Sequence, residues 1–262
     1  EEIAYIHERG YTITIQKFID QEQSFLERPL ASQFGFALQG FKEQESAHAA
    51  TFKHRKVIEG TFGIRNAQTY LANFASFRKN ITAALSQEND INRLLQTAEQ
   101  ELVKNKIYIE QYSSFLTHTD FVPHNIRISG NIIYLLDYSS LTFGNKYEGW
   151  ARFINFMTLY NPPLQKALEK YVQDNRTQEE TISLRMMRIY RLGEIIWYYT
   201  QTLQKSSDDL LKLNTERVHF WAKVLSYVLT DQEVPDHVIA AYTTIRDALR
   251  SNDEKKRQQG LH

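Results

Sequence analysis

The residues best suited to chemistry are concentrated in one stretch, "FLTHTDFVPHNIRISGNIIYLLDYSS", Phe115 to Ser140. It holds Asp120, Asn125 and Asp137. An Asn carbonyl beside an Asp carboxylate offers hard oxygens. Mg2+ prefers such donors, usually one or two carboxylates with phosphate oxygens completing the shell. A further carboxylate that is not a ligand can orient an attacking hydroxyl as a general base would. Asp120 stands in the loop where it could do this. Asp and Asn are also turn formers, but turn chemistry alone does not account for all three at this spacing.

A hairpin must position these groups. Ser129-Gly130-Asn131 is the strong turn signal in the stretch, and Gly-Asn suits a two-residue loop that needs positive φ. With Gly130 and Asn131 as the loop, Ser129 pairs with Ile132, Ile128 with Ile133, Arg127 with Tyr134 and Ile126 with Leu135. The same count sets Asn125 against Leu136 and His124 against Asp137, with opposed residues ~5 Å apart. Asn125 and Asp137 therefore emerge at one open end of the hairpin.

The rest of the chain patterns as a second strand and a set of helices. "GYTITIQKFID", Gly10 to Asp20, alternates Ile13 and Ile15 with Thr12, Thr14 and Gln16, which predicts a half-buried strand. "GIRNAQTYLANFASFRKNITAAL" puts Tyr70, Leu71, Phe74, Phe77, Ile81 and Leu85 on one helical face. "DINRLLQTAEQELVKNKIYIEQY" does the same with Ile91, Leu94, Leu95, Ala98 and Leu102. Asn161-Pro162-Pro163 ends one helix and starts the next. Thr177 and Glu180 form a capping box for a long helix carrying Leu184, Met187, Ile196 and Tyr199. Leu210 to Leu229 and Pro235 to Arg250 complete a helical C-terminal half. In "RMMRIYRLGEIIWYY" the apolar stripe reads as core, and Arg185, Arg188 and Arg191 as a solvated face, the alternative being that they face a phosphate or an anionic acceptor. The fold class is mainly α with a small β hairpin.

Composition narrows the function. The 262 residues carry 31 Lys plus Arg and 31 Asp plus Glu, a formal net charge of zero. That balance argues against a general nucleic-acid or membrane-surface role. The absence of cysteine excludes disulfides and Cys-ligated zinc. His7, His48, His54, His219, His237 and His262 show no metal-ligand spacing. No apolar run approaches the ~18 residues of a membrane span. The N-terminus lacks the basic and apolar regions of a signal peptide. A cytoplasmic protein is the expectation. The chain does not open on Met, which leaves it processed, truncated or excerpted from something longer.

The spacing His118-x-Asp120-x-x-x-x-Asn125 matches the catalytic-loop signature of the protein-kinase superfamily, and "DYS" from Asp137 its metal-binding segment. The whole stretch most resembles the aminoglycoside-phosphotransferase and choline-kinase branch, which reads H-G-D-x-x-x-x-N, a hairpin, then I-D-[WF]. The resemblance implies a kinase-like C-terminal lobe that transfers the γ-phosphoryl group of ATP or GTP to a hydroxyl on a small molecule. It implies that Asp120 is the catalytic base or positioning residue, that Asn125 and Asp137 hold Mg2+, and that His118 braces the loop. Residues 1–20 would be the last N-lobe strand and the hinge, contacting adenine near Gln16, Lys17 and Phe18. Residues 21–250 would be the helical lobe, with loop and hairpin at 117–140 and a polar tail at 251–262. The helices after Pro162 would help shape the acceptor pocket. Aminoglycoside, choline, sugar, homoserine and protein hydroxyls all stay open as acceptors.

Two features depart from that pattern. No glycine-rich phosphate loop precedes "YTITIQKFID". Either Lys17 is the strand lysine of a V-A-I-K-like "TIQK", or the chain starts near the hinge, which the short stretch before it favours. Second, "GWA", Gly149 to Ala151, stands where the branch has D-L-A, so the neighbouring Glu148 would have to brace the loop. The competing function is a non-catalytic kinase-like binding or regulatory module. A third reading, a helical scaffold with a fortuitous motif, predicts no hairpin between Ile126 and Asp137.

Overall fold

A computed structural model of the chain describes residues 2–252 and 255. Among these residues are ten α-helices and six short strands, so the protein is mainly helical. No helix among them is long and apolar enough to cross a membrane. Most of the polar tail, 251–262, lies outside the described residues.

The chain opens on an antiparallel pair, β1 (Glu2–Glu8) and β2 (Tyr11–Gln16). Patterning predicts one strand from Gly10 to Asp20. The observed strand stops at Gln16, and it has a partner that patterning does not predict. The connection Arg9-Gly10 takes φ of 50° and 81°, a turn Gly10 suits and Arg9 disguises. Ile13 and Ile15, expected on a buried face, are exposed, as is Ile6 opposite Ile13.

Five helices follow: α1 (Leu30–Thr51), α2 (Arg55–Phe62), α3 (Ala67–Ala84), α4 (Asn89–Lys104) and α5 (Lys106–Gln111). The face expected on α3 points inward: Tyr70, Phe74 and Ile81 are buried, and Leu71, Phe77 and Leu85 pack against the core. Asn66 caps α3 by accepting the Thr69 amide at 2.9 Å. The helix expected from Asp90 to Tyr112 is broken at Asn105, whose side chain donates back to the Glu101 carbonyl at 2.9 Å.

Four short strands come next: β3 (Phe115–His118), β4 (Ile126–Ser129), β5 (Ile132–Leu135) and β6 (Leu141–Gly144). β4 and β5 pair in the register the turn implies, from Ser129↔Ile132 to Ile126↔Leu135. The scaffold reading does not predict that hairpin. β3 and β6 form a second antiparallel pair, from Phe115↔Gly144 to His118↔Leu141, which the sequence does not announce.

The C-terminal half is α6 (Glu148–Tyr160), α7 (Pro162–Asn175), α8 (Gln178–Leu203), α9 (Asp208–Leu229) and α10 (Asp236–Leu249). The capping box of Thr177 and Glu180 opens α8, and the Asn161 side chain caps α7. Helix α8 runs through the core against α3, α6 and α9. Its arginines are not a solvated face. Arg185 donates to the Val228 and Leu229 carbonyls at the end of α9. Arg188 is buried on Asn155 Oδ1 and Glu169. Arg191 meets Glu148 and Glu194. A charged residue inside needs such partners, because desolvating a lone charge is expensive.

Candidate active site

Two ladders meet at the site. The loop 119–125 runs from β3 into β4, and residues 136–140 run from β5 into β6. The pairing of β3 with β6 and of β4 with β5 makes both connections emerge together. The Thr119 amide and hydroxyl both donate to the Ser140 carbonyl at 2.9 Å, stitching one connection to the other.

Apolar anchors hold the first loop. Phe121 and Val122 are fully buried, with Phe121 among Phe41, Phe153 and the backbone of Gly40. Burying a Phe contributes roughly 1.5–3 kcal/mol. With its neighbours pinned inward, Asp120 is left at the rim with 32% of its side chain exposed.

His118 is fully buried, and its Nε2 lies 2.7 Å from the Leu136 carbonyl oxygen. A carbonyl only accepts, so Nε2 carries the proton. The ring therefore ties the first loop to the second. The His118 amide donates to Gln44 Oε1 on α1 at 3.2 Å. Helix α6 closes the other side: a Cβ at Gly149 would lie 2.5 Å from the His118 carbonyl oxygen, so only glycine lets that helix start so near.

Asn125 extends the hairpin by one step, because the Leu136 amide donates to its carbonyl at 2.8 Å. Its side-chain amide donates to the Asp120 carbonyl at 2.8 Å and to Asp120 Oδ2 at 3.1 Å. That leaves the amide oxygen, the atom a cation would need, turned away from Asp120. Asp137 follows Leu136 in the left-handed region, with φ 59° and ψ 61°. A non-glycine residue there is uncommon, though Asp tolerates it better than most. Its exposed carboxylate accepts from the hydroxyls of Ser139 and Ser140.

The electrostatics differ between the two aspartates. Burial pushes the Asp120 carboxyl up. The Arg152 guanidinium, with Nε 3.0 Å from Oδ1, and the His124 ring outweigh it, so the carboxyl is held below its ordinary range. Asp137 is also lowered, chiefly by the Ser139 hydroxyl. Both are anionic at neutral pH. Among the described residues no three His, Cys, Asp or Glu side chains converge to hold a metal. Asn125 and Asp137 alone would supply two oxygens, which suits a Mg2+ ion that takes the rest from phosphates and water.

The other residues singled out by sequence stand further off. Gln16 ends β2, and Lys17 and Phe18 follow it, with Phe18 83% exposed. This segment reaches the hairpin through Gln21, whose Oε1 accepts the Ile128 amide at 2.9 Å. Glu148, expected to brace the loop, bonds elsewhere. It is fully buried and binds Arg65 at 2.9 Å, Arg191 at 3.3 Å and the Tyr70 hydroxyl at 2.6 Å. The brace comes instead from Gln44, Thr119 and His118. Sequence reasoning also missed Arg152, which lies 32 positions from Asp120 and in no motif. Ser139 and Ser140 carried a signal, since hydroxyls directly after an Asp often bond to it.

The chain matches no family model, no curated protein and no solved structure with which it was compared.

Proposed function

We propose that this chain is the catalytic lobe and hinge of a kinase-like phosphotransferase that moves the γ-phosphoryl group of ATP or GTP to a hydroxyl of a small molecule. The observation that carries the reading is the hairpin register: Leu136 bonds to Asn125, so Asp137 returns beside the loop that holds Asp120. Three fortuitous residues would have no reason to be gathered in this way.

Asp120 positions the acceptor hydroxyl. A carboxylate held below its ordinary range is a weak base, so it orients the hydroxyl oxygen toward phosphorus and takes up the proton only as the new O–P bond forms. The Asn125 amide hydrogen-bonds Asp120 and so fixes the carboxylate while presenting its own oxygen. Asn125 and Asp137 would hold Mg2+, which neutralises charge on the phosphates when bound. The hinge, Gln16 to Phe18, would receive the base. On this reading the protein is cytoplasmic and its acceptor small, with no nucleic acid or membrane involved.

A non-catalytic binding module is the second reading, favoured by one feature: both carboxylates are already satisfied within the chain, Asp120 by Arg152 and Asp137 by two serines. Two measurements on the intact protein separate the readings. ATP with Mg2+ should raise the melting temperature, since a ligand of the native state stabilises it, and Asp137→Asn should abolish that rise. Asp120→Ala should keep the rise but lower phosphoryl transfer, read as ADP formation, by roughly 10²–10⁴-fold. Undiminished ADP formation in Asp120→Ala would sink the mechanism. A nucleotide-induced rise with no ADP from the wild type would leave the binding module.

A further inference from the structure

Behind Asp120 the helices enclose a cavity of ≈ 100 Å³, space for several waters or one small ionic group. Five arginines line it: Arg152, Arg191, Arg217, Arg246 and Arg250. No Asp or Glu is among the described residues that line it, although Asp247 pairs with Arg246 at 2.8 Å and Asp120 with Arg152 at 3.0 Å from outside the lining. Arg152 belongs to both places, lining the cavity while its Nε bonds Asp120. Whatever occupies the cavity is thus one side chain away from the candidate reacting centre.

The arginines are held in place but not all used up. Arg191 meets Glu148 and Glu194 outside the cavity, yet its Nε is a buried donor with no hydrogen-bond partner. Guanidinium carbons of Arg217 and Arg246 lie 5.1 Å and 5.8 Å from the ring centres of Tyr199 and Tyr160, so the forks are braced on aromatic faces. Trp221 and Tyr242 complete an aromatic wall. Burial pushes the Tyr199 and Tyr242 phenols up, the latter to about 12, so both stay neutral hydroxyls. The wall therefore contributes donors and positive charge without negative charge. Arginine forks match phosphate and carboxylate oxygens two at a time. A cationic acceptor such as an aminocyclitol or a quaternary amine would meet like charge here.

We propose that this cavity binds an anionic group on the phosphoryl acceptor, so that the acceptor is a small hydroxyl compound bearing a phosphate or a carboxylate. The word acceptor rests on the phosphotransferase reading; the anion site does not. Arg152 joins the two, holding the anion from one side and Asp120 from the other, and so sets the distance from anion to hydroxyl.

The test is thermal denaturation of the full chain with inorganic phosphate or malonate as probe, at constant ionic strength set with chloride. At about ten times its dissociation constant either anion should raise the melting temperature by roughly 3–6 °C, and the larger rise identifies the group. Arg217→Gln and Arg246→Gln, neither of which touches Asp120, should each remove most of that rise while keeping the rise given by ATP with Mg2+. No response to either anion in the wild type, or a response that survives in both folded variants, would overturn the proposal. So would an equal rise with tetramethylammonium. An anion response without any nucleotide response would support the site and remove the phosphotransferase reading, so the two fail separately.

Discussion

Two charged clusters lie one turn apart on α6, and they are built in opposite ways. Glu148 is fully buried and bonded on both oxygens, to Arg65, Arg191 and Tyr70. Asp120, reached by Arg152 four residues further along the same helix, stands at the rim with a third of its side chain in solvent. Asp137 is more open still. The first cluster joins α3, α6 and α8, and its carboxylate is sealed from solvent while Arg191 reaches on to the arginine-lined cavity. The second is braced mainly through backbone groups, at His118, Thr119 and Asn125, which leaves carboxylate oxygens near solvent. All three carboxylates have both oxygens bonded, but one sealed from solvent holds helices together. A rim carboxylate on a braced loop is placed for an incoming molecule.

The sharpest way to break this comparison is to truncate each side. Glu148→Ala leaves the Tyr70 hydroxyl buried without its acceptor and Arg191 with Glu194 alone. It should lower stability by about 3–5 kcal/mol in urea denaturation. Asp120→Ala should lower it by no more than about 1 kcal/mol, and comparable losses would erase the distinction. Arg152→Ala refines the rim side. A carboxyl held below its ordinary value stabilises the fold above the unfolded value, near pH 4, and that contribution fades as pH falls through the folded value. Arg152→Ala should therefore lose up to about 1 kcal/mol at pH 7 and less of it at the lowest pH at which the protein stays folded. An equal loss at both would show that Arg152 acts by packing. The smallest expected change is at the hairpin tip. Gly130 has φ 58° with open space around it, so Gly130→Ala should lose about 1 kcal/mol or less through backbone strain alone. The nucleotide-induced rise in melting temperature should be untouched.

The parts of this arrangement that sequence disclosed are those set by local rules. The β4–β5 register follows from one turn, and the faces of α3, α4 and α8 follow from three- and four-residue spacing. What it hid depends on distant partners. β3 and β6 are four residues each and lie far apart in the chain, too short for alternation to stand out. β1 was masked by a turn that places Arg9, not a turn former, at positive φ. The α8 arginines have the same spacing whether they face water or the core; only Glu169, Asn155, Glu148 and the end of α9, brought in by the fold, decide it. Arg152 was hidden for the same reason, because its meaning comes from Asp120 across the loop. The loop motif itself was legible, but the brace assigned to Glu148 was not, since two neighbouring residues of α6 divide the tasks: Glu148 ties helices and Gly149 lets the helix approach.

The hairpin tip has a practical use. The chain contains no cysteine, and Asn131 is exposed four ladder pairs from the base of the hairpin, about 13 Å along the strands. Asn131→Cys would thus give this chain one thiol, at the end of a short hairpin whose other end carries Asn125 and Leu136. A fluorophore attached there would report from outside on the arrival of nucleotide or anion without occupying the place either one needs.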